Sequence, residues 1–363
     1  MKIAFDAKRL FNNFTGLGNY SRTLVKNIHT FYPEVEIHLF TPKVTDNEET
    51  RYFLEASNIT IHTPSKNYPG WREFGMAREV NRLKPDIFHG LSHELPFGIH
   101  ASIKTVVTFH DLIYEKFPHQ FGTWDRWAYK VKYRSAAQRA DHIIAISQNT
   151  ADDLNNFYSI DRRKISVVYQ SCHDVFQNLE AMPDSQKTSF LYVGSIIERK
   201  GLLNAVLAYH RLPPENQKPF VVIGSGSGAY VEKVRNMIDY LQLGEKFTFI
   251  NKVSNSDLRS FYTSAICLVY PSMYEGFGIP LIESLFSKTP VITTESSSLP
   301  EAAGPGAIYI KTSDVDDLAR AMQQVLDEDC RLTLAEAGND YVKSHFSSEI
   351  TTASLMDVYR KLS

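Results

Sequence analysis

Cysteine is scarce in this chain. There are three in 363 residues, Cys172, Cys267 and Cys330, and they lie far apart. No Cys-x-x-Cys pair or Cys/His cluster occurs, so neither a disulfide framework nor a zinc site is expected, and a reducing compartment fits best. Long apolar runs are also missing: nowhere do about 18 apolar residues follow one another, the length a spanning helix needs. The opening Met1-Lys2-Ile3-Ala4-Phe5 is interrupted at once by Asp6, Lys8 and Arg9, which argues against an export signal. An excess of charge is lacking too. The net value of −2 gives no general pull toward nucleic acid, so any basic surface must be local. The expectation is a cytoplasmic protein that at most lies on a membrane. What is present is a hydrophobic content of 43% and a charged content of 22%, in a length sufficient for two globular domains.

The chain is organised around 270–283, Tyr-Pro-Ser-Met-Tyr-Glu-Gly-Phe-Gly-Ile-Pro-Leu-Ile-Glu. The apolar run Ala265–Tyr270 before it reads as a strand buried on both faces. After the turn, Pro280 suits a first helical position, and Leu281, Ile282, Leu285 and Phe286 supply an apolar face. A strand, a glycine turn and a helix start place amide N–H groups and the positive end of a helix dipole at the carboxyl end of a strand. That arrangement receives anions, phosphate above all. Gly276 and Gly278 let backbone approach such a guest. Glu275 and Glu283 flank the turn. Carboxylates are poor neighbours for phosphate but strong acceptors for sugar hydroxyls. The pattern therefore points to a ligand with phosphates in the middle and hydroxyls at both ends, a sugar nucleotide. Taken singly, Glu283 also fits a helix-start carboxylate and Glu275 a loop charge.

Glu-x7-Glu after Pro-Ser-x-x, followed by Thr289-Pro290-Val291-Ile292 and Leu299-Pro300-Glu301, resembles the family 4 retaining glycosyltransferases. The resemblance covers nearly the whole chain and is strongest over 190–304. It implies an α/β protein of GT-B architecture: two Rossmann-like domains whose parallel sheets face an interdomain cleft. The divisions expected are an acceptor-side domain over 1–172, a linker over 173–188, a nucleotide-sugar domain over 189–345, and a helix over 346–363 that crosses back to the first domain.

In the first half, Ile3–Asp6 reads as a strand and is followed by Thr15-Gly16-Leu17-Gly18-Asn19-Tyr20. A helix with Leu24, Ile28 and Phe31 at helical spacing comes next. Gly16-x-Gly18 lacks the third glycine of a dinucleotide fingerprint, Ser21 standing in its place. The next strand, Glu36–Phe40, ends without the acid that would hold an adenosine ribose, so NAD is not expected. The resemblance makes Gly16 and Gly18 donor-facing residues, and a plain tight turn is the other reading. Strands over 59–63, 86–89 and 105–110, with helices over 71–83 and 124–139, give a parallel sheet covered by helices. His110-Asp111 falls at a strand's carboxyl end, and the resemblance has His110 contact the transferred sugar or the acceptor. His89 and His93 stand at another strand end and suit the acceptor side. Lys116, Arg126, Lys130, Lys132, Arg134 and Arg139 interleave with Phe117, Phe121, Trp124, Trp127, Tyr129 and Tyr133 over 116–139. This mixture fits an anionic membrane or a phosphorylated acceptor, and equally a helix that buries its rings and solvates its charges. Nucleic acid is not expected. Ser147 suits a helix cap, with Thr150-Ala151-Asp152-Asp153 as a capping box one turn on.

In the second half, Phe190–Ser195 reads as a strand delivering Arg199 and Lys200, two cations suited to a departing diphosphate. Ser195 stands where family members often carry Arg, so Arg199 is expected to take over that work. Gly224-Ser225-Gly226-Ser227-Gly228 lacks the Lys-Ser/Thr ending of a P-loop and reads as a turn beside the nucleotide. Lys252 and Val253 correspond to the family's base-binding turn. Asp314-Val315-Asp316 has a metal-binding spelling, but the apolar positions after it mark a helix start, so no metal is expected. Helices are expected over 330–345 and 347–362.

The resulting expectation is a retaining transfer of a hexose from a nucleotide diphosphate sugar, GDP-mannose first, to a hydroxyl of a glycan or lipid-linked acceptor. His110, Arg199, Lys200 and Glu275 would be catalytic. Gly16, Gly18, Ser195, Lys252, Val253, Gly276, Phe277, Gly278, Ile279, Pro280, Leu281 and Glu283 would bind the donor. No side chain is an obvious covalent nucleophile, so front-side attack is expected. Bacterial surface-polysaccharide synthesis, on the cytoplasmic face of the inner membrane, is the setting the subgroup implies. The rivals are a sugar-nucleotide epimerase or hydrolase of this architecture and a non-catalytic sugar-nucleotide-binding protein.

Overall fold

The computed structural model describes residues 1–65, 68–177 and 186–363. The chain forms two compact units, one of residues 1–171 with 348–363 and one of residues 172–347. Half of the linker expected over 173–188 falls on 178–185, outside the described residues.

The first unit is built on seven strands: β1 (Lys2–Asp6), β2 (Glu36–Phe40), β3 (Ile59–His62), β4 (Ile87–Gly90), β5 (Lys104–Phe109), β6 (His142–Ala145) and β7 (Ile165–Val167). They lie in the order β3-β2-β1-β4-β5-β6-β7, with every adjacent pair parallel. Helices on both faces explain why Ile3, Ala4 and Phe5 are all fully buried, without the alternation of a half-exposed strand. The strand order reverses beside β1, so a crevice opens past the carboxyl ends of β1 and β4.

A short helix, Lys8–Asn12, follows β1 and was not foreseen. The helix Gly16–Phe31 begins at the glycines themselves and buries Tyr20, Ser21, Val25 and Ile28. Phe31, expected on its apolar face, is instead exposed in the last turn. Ser147 caps Gln148–Tyr158 by accepting from the Thr150 amide at 3.0 Å. Thr150 lies inside that helix, so the second capping box does not form; its hydroxyl reaches the His110 carbonyl instead. The terminal helix Ser348–Leu362 belongs to this unit, where the Tyr359 hydroxyl lies 2.5 Å from His89 Nδ1.

The second unit has six parallel strands: β8 (Ser189–Val193), β9 (Phe220–Ile223), β10 (Phe247–Ile250), β11 (Ala265–Tyr270), β12 (Val291–Thr294) and β13 (Ala307–Ile310). Their order is β10-β9-β8-β11-β12-β13, with the reversal between β8 and β11. Phe190, Tyr209, Phe220 and Phe247 pack together on one face, the last two stacked at 4.8 Å. Asp314 caps the helix Val315–Gln324 by accepting from the Asp317 amide, and Asp316 pairs with Arg211. The Asp-x-Asp spelling is thus helix capping. The following helix, Glu328–Phe346, starts two residues before the expected 330 because Asp327 caps it.

Candidate active site

At the reversal point of the second sheet, the loop after β8 and the loop after β11 are laced together. The Met273 amide donates to the Arg199 carbonyl at 2.8 Å. Gly201 (φ +72°) sits so close that a Cβ would lie 2.4 Å from the Pro271 carbonyl oxygen. Only glycine permits this approach. The lacing brings Arg199 and Lys200 onto Glu275. Lys200 Nζ lies 3.1 Å and Arg199 NH1 3.3 Å from Glu275 Oε1. The Tyr270 hydroxyl donates to the same oxygen at 3.0 Å and the Ser272 hydroxyl at 2.8 Å.

Tyr270, the last residue of β11, also accepts from Lys200 Nζ at 2.7 Å and offers its ring face to that ammonium. Burial alone would raise the Glu275 carboxyl, but the Lys200 and Arg199 charges outweigh it and hold the group below the usual glutamate range. Four contacts converge on Oε1, and Oε2 has none among the described residues.

This refines the expected roles. Arg199 is buried and its guanidinium holds the Tyr274 carbonyl as well as Glu275, which makes it chiefly a brace for the turn. Lys200 is held by two side-chain oxygens and is the more available cation.

The turn after β11 enters the helix Ile279–Phe286 through Gly278, whose φ of +114° is left-handed. A side chain there would also press on Leu299, 3.3 Å away. Of the residues expected to offer amides, Pro280 has none and Leu281 donates to the Gly278 carbonyl at 2.9 Å. Among the described residues, the Gly278 and Ile279 amides meet no acceptor. Leu281, expected to bind the donor, therefore has no free amide to offer it. The Phe277 ring turns into the core against Phe346. Ser297 and Ser298 fasten the turn from behind, accepting from the Glu275 amide and donating to the Glu275 and Phe277 carbonyls at 2.9 Å each. Gly276 is buried within it.

Glu283, one turn into the helix, accepts from the Tyr262 hydroxyl at 2.9 Å. Burial pushes its carboxyl up to about 8, against a smaller lowering by Tyr262. The two glutamates are thus held in opposite states, one ionised by cations and one nearly neutral. Ser195 is exposed past β8, and Lys252 and Val253 lie on the loop after β10. Gly224 packs against the Gly194 carbonyl and Gly226 against that of Ile196, so these glycines close the backbone on itself.

In the first unit, His110 stands past β5 with its Nε2 2.9 Å from the Leu91 carbonyl. Nε2 must therefore carry the proton, which leaves Nδ1 as the acceptor. Burial pushes this imidazole down to about 4, so it is neutral at pH 7. Its ring meets Tyr20 edge-on at 4.6 Å. His93 accepts from the His110 amide at 3.0 Å and stacks on Tyr133. His89 is enclosed between Thr108 and Tyr359, and its role is structural. A Cβ on Gly18 would lie 1.6 Å from the Asn13 carbonyl oxygen, so that glycine serves local packing; Gly16 has open space around it. Among the described residues no group of three His, Cys, Asp or Glu is placed to hold a metal ion, and no helix is long and apolar enough to cross a membrane.

Sequence reasoning missed Tyr262, Tyr270, Ser272, Ser297 and Ser298. Tyr270 carried a usable signal, since it ends the buried strand at the sheet's carboxyl edge.

A family model described as Glycosyltransferase Family 4 matches residues 14–171, and one described as Glycosyl transferases group 1 matches residues 178–343. The chain is 26% identical to the O-antigen chain mannosyltransferase B of Escherichia coli, with all of both chains covered. It is 29% identical to the O-antigen chain mannosyltransferase RfbU of Salmonella typhimurium over 60% of each. Among solved structures, sucrose-phosphate synthase from Thermosynechococcus elongatus superposes with a TM-score of 0.77 at 19% identity, covering 100% of this chain and 99% of that one. Anabaena Alr3699/HepE in complex with UDP-glucose gives a TM-score of 0.76 at 16% identity, covering 99% and 100%. The two family models between them take in nearly the whole length, and the chain belongs to the family 4 glycosyltransferases, hexosyl-transferring enzymes of the GT-B fold.

Proposed function

We propose that the protein moves a mannosyl residue from GDP-mannose to a hydroxyl of a glycan or lipid-linked acceptor, with retention at the anomeric carbon. The observation that carries the reading is the Lys200–Tyr270–Glu275 cluster beside the Gly278 and Ile279 amides. Negative charge grows on the diphosphate as its bond to the sugar breaks, and a preset ammonium with two amides stabilises that charge without reorganisation. This supply of positive charge is why a metal is not invoked. Glu283 accepts from the ribose hydroxyls, and the open Oε2 of Glu275 accepts from the donor sugar. Since Oε1 is held by two cations, Glu275 is a weak nucleophile, which favours front-side attack assisted by the departing phosphate oxygen. The first unit receives the acceptor, with His110 Nδ1 accepting from a hydroxyl.

The choice of mannose rests on the O-antigen mannosyltransferases the chain resembles. Their O-antigen activity supports a role in bacterial surface-polysaccharide synthesis, and the proposed setting is the cytoplasmic face of the membrane. The helix Thr123–Arg139 supports peripheral docking there: Trp124 is 84% and Trp127 63% exposed. Of its five cations, Lys130 and Lys132 pair with Glu115 and Glu73 and Arg139 holds the Leu95 and Pro96 carbonyls, while Arg126 and Arg134 are exposed beside the tryptophans.

The test is turnover of the purified protein with a panel of nucleotide sugars and a mannose-terminated acceptor, with product anomericity read by NMR. An α-mannoside formed from GDP-mannose is expected. Donor consumed equally without acceptor, or no nucleotide sugar consumed at all, would contradict the reading.

A further inference from the structure

The reversal point of the first sheet also carries cations, and their situation differs. Lys8 and Arg9 follow β1 directly, while His93 and Glu94 follow the neighbouring β4. The carboxylates of this crevice are already taken. Arg72, itself nearly buried, donates to Asp6 Oδ2 at 2.7 Å and to Glu94 Oε2 at 2.6 Å. Neither the Lys8 ammonium nor the Arg9 guanidinium has a hydrogen-bond or ion-pair partner among the described residues, and Arg9 Nε is buried without an acceptor. His93 adds a second orphan. Its Nε2 accepts from the His110 and Asp111 amides, so its Nδ1 carries the proton, and that donor is buried and unpartnered. His93 holds this position in a left-handed backbone conformation, φ 59°, which costs a non-glycine residue energy.

Burial first, and then the charges of Arg72 and Arg9, lower the Lys8 ammonium from its ordinary range, against a smaller raising by Glu94 and Asp6. The Arg9 charge is also felt by His93, His110 and Tyr133. Desolvated donors without acceptors destabilise a folded chain, and they persist where a ligand supplies the missing oxygens.

We propose that Lys8, Arg9 and His93 Nδ1–H form an oxyanion site at the crevice between β1 and β4, taken by a phosphate or carboxylate group of the acceptor. The assignment to the acceptor rests on the transferase reading above; the oxyanion site does not. It implies that the acceptor carries fixed negative charge close to the hydroxyl that is glycosylated, as a sugar attached near a phosphate linkage does.

The experiment is titration of the full chain with inorganic phosphate and with pyrophosphate, by calorimetry, alone and with GDP saturating. Phosphate binding that survives GDP, and that Arg9→Met and Lys8→Met each weaken about tenfold or more, is expected. Equal binding by wild type and both variants would overturn the site. Loss of phosphate binding on adding GDP would overturn the assignment to the acceptor and give the site to the donor diphosphate. Thermal unfolding guards against a folding defect. Removing an unpaired cation from beside Lys8 and Arg72 should leave the midpoint of Arg9→Met unchanged or raised, and a clear fall would mark Arg9 as a structural residue and contradict the proposal. Failure of the transferase reading shows separately, as phosphate binding that persists in a protein turning over no nucleotide sugar.

Discussion

The reversal points of the two sheets hold the same kinds of residue in opposite conditions. In the second unit, Lys200 and Arg199 are satisfied before any ligand arrives, because Glu275 Oε1 sits against both and Tyr270 and Ser272 complete its shell. In the first, Asp6 and Glu94 are spent on Arg72, and Lys8 and Arg9 stand without a carboxylate of their own. The difference is one of preorganisation. A fixed, internally paired cluster can position a group for chemistry at little cost to stability. An unsatisfied one lowers stability and gains most when a ligand binds.

The comparison breaks first at Glu275. Removing it leaves two largely buried cations facing each other, so Glu275→Ala should lose about 3–5 kcal/mol of stability, measured by denaturant unfolding. A loss below about 1 kcal/mol would mean the cluster is solvated like a surface pair. Lys200→Ala should lower turnover by about 10²–10³ while leaving the fold intact, the cost of one well-placed donor. An unchanged rate would remove Lys200 from the reaction.

Glu283 sharpens the contrast through pH. Its folded value of about 8 stands above the ordinary 4.5, so the folded protein keeps a proton that the unfolded chain has given up. The stability this group contributes is complete below about pH 4.5 and is lost as pH rises through about 8. A ribose hydroxyl bonds more strongly to the ionised form, since a charge-assisted acceptor is the stronger one. Nucleotide affinity should therefore increase as pH rises through about 8, with a proton released on binding at pH 7, both readable by calorimetry in buffers of different ionisation enthalpy. A flat pH profile would count against the ribose role. The smallest effect is at Tyr262. Tyr262→Phe deletes the 2.9 Å hydrogen bond to Glu283 and should weaken nucleotide binding by about fivefold, with the pH midpoint moved upward. A midpoint that moves down would show that the hydroxyl favours the neutral carboxyl.

Much of the fold was legible because it rests on local pattern. Runs such as Ala265–Tyr270 and 143–145 are apolar throughout, and strands buried on both faces have that spelling. The Gly276–Pro280 turn was legible for the same reason, since a strand end, glycines and an N-terminal proline are adjacent in sequence. The partnerships were not. Arg72 reaches Asp6 across 66 positions, and Tyr262 reaches Glu283 across 21, and only the folded sheet makes them neighbours. Leu281 departs from its expected role on a finer point: the helix starts one residue early, at Ile279, and the Leu281 amide turns back to Gly278. Lys8 and Arg9 appeared in sequence only as charges interrupting an apolar run. Their meaning depends on which carboxylates Arg72 has already taken.

The most direct measurement is a crystal structure with GDP-mannose or GDP bound. The account predicts diphosphate oxygens within hydrogen-bond distance of Lys200 Nζ and of the Gly278 and Ile279 amides, with Glu283 on the ribose. A nucleotide bound elsewhere, with Lys200 still held by Tyr270 and Glu275 and both glutamates untouched by ligand, would contradict it.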